Sequence, residues 1–149
     1  MQMFRSFSSL LLCGTLVFVS LPSQAEVDDP EAWIEYRGSL MDAMKAHNKA
    51  AKKALGLGGE HLIVHARALQ ESATLITGAF PEGSDFGETD AKAAVWEDRE
   101  GFESATMKYA EAVDALVSAA GSGDQDAITQ ALNGVGKGCK GCHEDYRER

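Results

Sequence analysis

Positive charge is scarce in this sequence: 14 Lys and Arg stand against 23 Asp and Glu, a formal net charge of −9. A surface of that sign repels phosphate backbones and anionic lipid, which sets aside nucleic acid and leaves a basic protein partner open. No internal repeat, low-complexity tract or convincing strand pattern is present. The longest apolar run, Leu10 to about Leu21, is too short and too one-sided for a dependable membrane span, so no membrane anchor is expected. Cysteine is also rare, with three residues in the whole chain, and one of them, Cys13, lies inside that apolar run.

The run belongs to a leader. Arg5 precedes it, and Pro22 and the small-x-small pattern Ser23-Gln24-Ala25 follow, the order of a secretory signal peptide cut after Ala25. Leu12 stands where a lipidated cysteine would need a small residue before it, so Cys13 is not read as an anchor. Without a twin-arginine pair, the chain is expected to leave the cytoplasm unfolded, with any cofactor added in the periplasm. Removal of residues 1–25 makes the protein one unit more negative, because the leader carries Arg5 and no acid. Residues 26–149 suffice for one domain with a single core. They keep only Cys139 and Cys142, in a compartment where a lone pair is normally bonded or occupied.

What is abundant is helical periodicity. Asp29-Pro30 reads as an N-cap and first helical position, and Trp33, Arg37, Leu40, Met44, His47, Ala51 and Leu55 follow at spacings of three and four. Gly56-Leu57-Gly58-Gly59 stops that helix. A second helix, Glu60 to about Gly78, carries Leu62, His65 or Ala66, Leu69, Ala73 and Ile76 on one face. Residues 80–87, FPEGSDFG, have no period and form a loop. A third helix is expected from Thr89 or Asp90 to Ala119, ended by Gly121-Ser122-Gly123, and a fourth from the cap Asp124 through Ile128, Leu132 and Val135 to Tyr146. Four amphipathic helices with short links predict an all-α, antiparallel four-helix bundle.

Chemistry is concentrated in the last helix, in GCKGCHEDYRER. Positions three and four apart share a helix face, so Cys139, Cys142 and His143 converge on one object beside it. A redox CxxC needs a strand before its helix, a zinc site needs a distant fourth ligand, and a Cys139–Cys142 disulfide is the plainest alternative. Haem uses all three residues at once: two thioethers to the vinyl groups and an imidazole beneath the iron. Gly134, Gly136, Gly138 and Gly141 suit the close approach of a porphyrin to the backbone. The motif, the secretory leader and the glycines therefore predict one covalently attached haem c.

The segments EYRGSLMDAMKAH, FPEGS, AKAAVW and GCKGCHEDYR together resemble the cytochrome c′ family, secreted four-helix haem proteins with CxxCH near the C-terminus. The likeness covers all of residues 26–149. By that resemblance His143 is the proximal axial ligand, and Cys139 and Cys142 are the thioether anchors. Arg147 matches a basic residue beside the proximal haem face; otherwise it is an exposed arginine at a helix C-terminus. Arg37 matches an arginine near a haem propionate, with an intrachain Asp or Glu as the alternative partner.

Met41, four residues after Arg37, falls where the family covers the open face of the iron. A non-ligating residue there leaves the iron five-coordinate behind an apolar wall of Leu40, Met41 and Met44. A ligating methionine makes a low-spin Met/His electron carrier instead. The resemblance thus implies a periplasmic, non-enzymatic haem protein that binds nitric oxide or carbon monoxide and cycles between Fe(III) and Fe(II). A peroxidase-like enzyme is disfavoured, since no distal His and Arg pair is placed for proton transfer. The resemblance also implies a homodimer built through the first two helices. His61 and His65 have the i, i+4 spacing of a metal pair, but no acid or cysteine motif completes it, and with His47 they are assigned no ligand role.

Overall fold

The computed structural model describes residues 29–57 and 59–148, so the leader, Cys13 and the proposed cleavage site lie outside it. Among these residues there are five α-helices, α1 Pro30–Ala54, α2 Gly59–Ala73, α3 Ala94–Glu97, α4 Arg99–Ser122 and α5 Gln125–Tyr146, with a 3₁₀ turn at Thr77–Ala79. The four long ones, α1, α2, α4 and α5, make the four-helix bundle. Its core includes Leu62, Leu69, Phe102, Val113, Leu116, Ile128 and Val135, all almost fully buried.

Local chemistry sets most boundaries as expected. Asp29 accepts a hydrogen bond from the Ala32 N–H at 3.0 Å, ahead of Pro30. Asp124 accepts from the N–H groups of Asp126 and Ala127 at 2.9 and 3.1 Å. Gly123 ends α4 in the left-handed conformation, at φ +74°, which glycine adopts without a Cβ clash.

Three expectations are corrected. The second helix ends at Ala73 rather than near Gly78, because the backbone tightens into i−3 hydrogen bonds at Thr74 and Leu75, and the Thr74 hydroxyl donates to the Glu71 carbonyl. The third does not begin at Thr89 or Asp90: residues 90–92 pair with the C-terminal segment, through Lys92 N–H to Tyr146 O at 3.0 Å and Glu148 N–H to Asp90 O at 2.7 Å. It is also broken at Asp98, whose side chain caps α4 at Gly101 N–H and accepts from the Tyr146 hydroxyl at 3.0 Å. On α1, Trp33 and Leu55 face outward and Ala54 is buried instead.

The packing is uneven. α1 packs on α2, α2 on α4, and α4 on α5, whereas α1 and α5 are not among the closely packed pairs. That parting between the first and last long helices is where the CxxCH residues lie.

Candidate functional site

Cys139, Cys142 and His143 line one cavity of about 660 Å³ on the flank of α5. Arg37, Met41 and Met44 of α1 contribute to its wall, as do Phe102 and Tyr109 of α4. The i, i+3, i+4 spacing does what the sequence predicts: three reactive side chains share one space, facing a helix that is not packed against theirs. Met41 is half-buried and lies in this same cavity. Leu40, expected on the wall, is packed in the core and is not among the lining residues.

Electrostatics separate the candidate chemistries. Burial pushes the Cys142 thiol up to about 11, with Cys139 and Asp145 adding to the effect. Burial also raises Cys139, against the opposing pull of Lys52. Both are therefore neutral thiols at neutral pH, the reverse of the depressed thiol that a redox CxxC uses. The two are free cysteines and not joined to each other. Burial lowers His143, and the nearby Arg147 cation lowers it further, which favours the neutral imidazole that a metal requires. Among the described residues no three His, Cys, Asp or Glu side chains converge as they stand on a metal-sized point.

The two arginines are held by one strap, residues 80–92. Arg37 is only 4% exposed. Its guanidinium donates to Ser84 Oγ at 3.0 Å, to the Ser84 carbonyl at 2.8 Å and to Thr89 Oγ1 at 2.8 Å, and it lies over the rings of Phe80 and Trp96. Neither Asp nor Glu takes part. Of its five N–H donors, Nε and one on Nη1 are not used by these three bonds. Arg147 is exposed and paired with Asp90, Nη2 to Oδ2 at 2.8 Å, and it lines the cavity with His143. It is thus more than an arginine facing a helix end: the ion pair ties it to the strap beside the imidazole.

Several site residues were not singled out in the sequence. Ser84 and Thr89 hold Arg37, Asp90 holds Arg147, and Lys92 donates to the Glu144 carbonyl at 2.7 Å. The one available signal was a guanidinium on a core-facing stripe, which demanded acceptors without saying which. Gly138 lines the cavity and also lies close to α4: a Cβ there would sit 3.3 Å from Tyr109 Cα. Gly134, Gly136 and Gly141 meet nothing closer than 3.9 Å. His47, His61 and His65 do not line the cavity.

A haem fits these residues. The volume falls in the range of cofactor clefts, roughly 300–1,000 Å³. Met41, Met44, Val95 and Phe102 give apolar lining, and Arg37 and Arg147 supply the cations that a dianionic ring needs. Two further lining residues, Asn48 and Tyr109, carry buried polar atoms, Oδ1 and the hydroxyl, with no hydrogen-bond partner among the described residues. Buried polar atoms of that kind call for a polar feature on whatever occupies the cavity.

Comparison with known proteins agrees. A family model described as Cytochrome C′ matches residues 32–147. Cytochrome c′ of Rhodospirillum rubrum is 34% identical over 143 residues, covering 93% of this chain and 97% of that protein. The crystal structure of cytochrome c′ from Rubrivivax gelatinosus is similar with a TM-score of 0.76 at 32% identity, over 83% of this chain and 100% of the other. A nitric oxide complex of a cytochrome c prime variant from Alcaligenes xylosoxidans gives a TM-score of 0.76 at 26% identity, again over 83% and 100%.

Proposed function

This chain belongs to the cytochrome c′ family, whose cofactor is haem c attached covalently at CxxCH, and on that premise we propose a periplasmic protein that binds nitric oxide or carbon monoxide at five-coordinate iron. The carrying observation is that Met41 of α1 and the Cys139-Cys142-His143 cluster of α5 line one cavity between helices that do not pack on each other. When bound, the group would supply a redox-active iron able to take a diatomic ligand.

The protein's part is anchoring, orienting and crowding. Cys139 and Cys142 would hold the ring to α5 by two thioethers. His143, one residue further on, has a neutral imidazole favoured by burial and would serve as a ligand to the iron. Met41 and Met44 line the same cavity from α1 and would crowd a ligand at the iron, so that only a small one enters. Arg37, already fixed by Ser84 and Thr89, has donors to spare for a propionate. Arg147, fixed by Asp90, lies near the His143 imidazole, where its cation would face the bound group. Support for gas binding comes from the nitric oxide complex of a relative with the same fold. Peroxidase-like turnover needs a second imidazole over the open face, and His143 is the one imidazole among the described lining residues.

The leader supports export to the periplasm, and among the described residues no helix is long and apolar enough to cross a membrane. Exposed Trp33 and Tyr36 on α1 and Val64 on α2 support pairing of two copies through these helices. Sedimentation at low micromolar concentration is expected to show a dimer; a monomer alone would remove the pairing and leave the haem site unaffected.

A second reading follows from the same cavity. Because Met41 faces it together with His143, its thioether is able to ligate the iron and make a low-spin electron carrier. Carbon monoxide binding to the ferrous Met41→Ala protein distinguishes the two. With a crowding, non-ligating Met41, the association rate rises about tenfold or more, a barrier change of about 1.4 kcal/mol, while the unliganded spectrum stays unchanged. A substitution that converts a low-spin spectrum to a high-spin one would favour the electron carrier.

A further inference from the structure

Outside the haem cavity, two histidines from different helices meet. His47 on α1 and His65 on α2 approach with Nδ1 to Nδ1 at 3.0 Å and ring centroids 5.3 Å apart. Both are half-buried in the groove between the two helices. One ring donates its Nδ1 proton to the other, so the pair is already a donor and a lone pair aimed at each other. His61 stands one turn before His65 on α2, on the same face, with its side chain 64% exposed. Its Nε2 lies 3.8 Å from the Glu60 carboxylate, too far for a hydrogen bond to hold it there.

We propose that His47 and His65, joined by His61 as it turns inward, form a surface site for a divalent transition metal of the copper type. Two nitrogens bound cis to one metal, at bond lengths of about 2.0–2.1 Å, are roughly 2.8–3.4 Å apart between square-planar and tetrahedral angles. The observed 3.0 Å lies inside that interval, so binding requires no change of separation but a turn of each ring by roughly 35–45°, which converges lone pairs now aimed at each other on one ion. On binding, the donor ring transfers its proton from Nδ1 to Nε2, which frees both Nδ1 lone pairs without changing the charge of either ring. Imidazole nitrogens favour Cu²⁺ over the other first-row divalent ions, and the protein's net negative charge attracts cations. The i, i+4 histidines visible in the sequence lack a completing acid or cysteine; the fold supplies a histidine from another helix instead. None of the three lines the haem cavity, so this site and the haem site fail independently.

Calorimetric titration of the haem-loaded protein with Cu²⁺ alone, at neutral pH, tests the site. One Cu²⁺ per chain is expected. His47→Gln and His65→Gln are each expected to weaken binding at least about tenfold, and His61→Gln by less. Electron paramagnetic resonance of the wild-type copper adduct, which needs no variant to fold, is expected to show coupling to two or more imidazole nitrogens. No copper uptake, uptake equally strong in His47→Gln and His65→Gln, or a copper signal without nitrogen coupling would each overturn the proposal.

Discussion

A chain carrying both Cys139→Ala and Cys142→Ala is expected to lose all haem stain on denaturing gels, whereas the wild-type chain matured with a c-type assembly system keeps it. The two thiols occupy successive turns on the cavity side of α5, and each provides one of the two sulfurs that bind the ring. Either single substitution leaves one sulfur in place, so each is expected to retain stain at reduced yield. The double variant keeps His143 and the apolar lining, so whatever haem it binds comes away in detergent. A metal-thiolate or redox role forms no thioether and predicts a different result: no covalent stain in the wild type at all.

Arg37→Leu is expected to destabilise the haem-loaded protein by about 2–4 kcal/mol, read as a lower urea midpoint. The guanidinium is the tie between α1 and the strap. Its removal leaves the buried Ser84 carbonyl and the Thr89 hydroxyl without their donor and ends the stacking on Phe80 and Trp96. Removing a buried cation also recovers desolvation energy, which keeps the loss below the sum of the separate contacts. Burial alone pulls the Arg37 pKa down, and no carboxylate offsets it, so the cation rests on hydroxyls, a carbonyl and aromatic faces. Arg37→Lys keeps the charge but not the planar fork that reaches Ser84 and Thr89 together, and is expected to fall between the two. A loss below about 1 kcal/mol for Arg37→Leu would show that the strap is held elsewhere.

The bundle and its reactive cluster were legible because both rest on local rules. Asp29-Pro30, Asp124 and Gly123 mark helix ends by capping chemistry that depends on a few neighbouring residues. The CxxCH spacing delivers its three side chains to one place on any helix. What the sequence did not disclose depends on contacts between distant segments. AKAAVW scans as a continuous helix start, yet residues 90–92 are taken up by the C-terminal segment and Asp98 is drawn to Gly101 and Tyr146. The stripe position of Arg37 required acceptors, but its partners lie 47 and 52 residues away in a loop without periodicity. Gly138 lines the cavity as its place in the motif suggests, but its closeness to Tyr109 of the neighbouring helix was not readable. His61 and His65 were visible as a pair, while the contact His65 makes is with His47, 18 residues earlier on another helix.

The absorption spectrum of the haem-loaded wild-type protein at neutral pH, ferric and ferrous, tests the central claim most directly. Five-coordinate iron with Met41 as a non-ligating wall predicts high-spin spectra in both states and carbon monoxide uptake that displaces no protein ligand. A low-spin ferric spectrum with a weak long-wavelength sulfur-to-iron band, abolished in Met41→Ala, would contradict it.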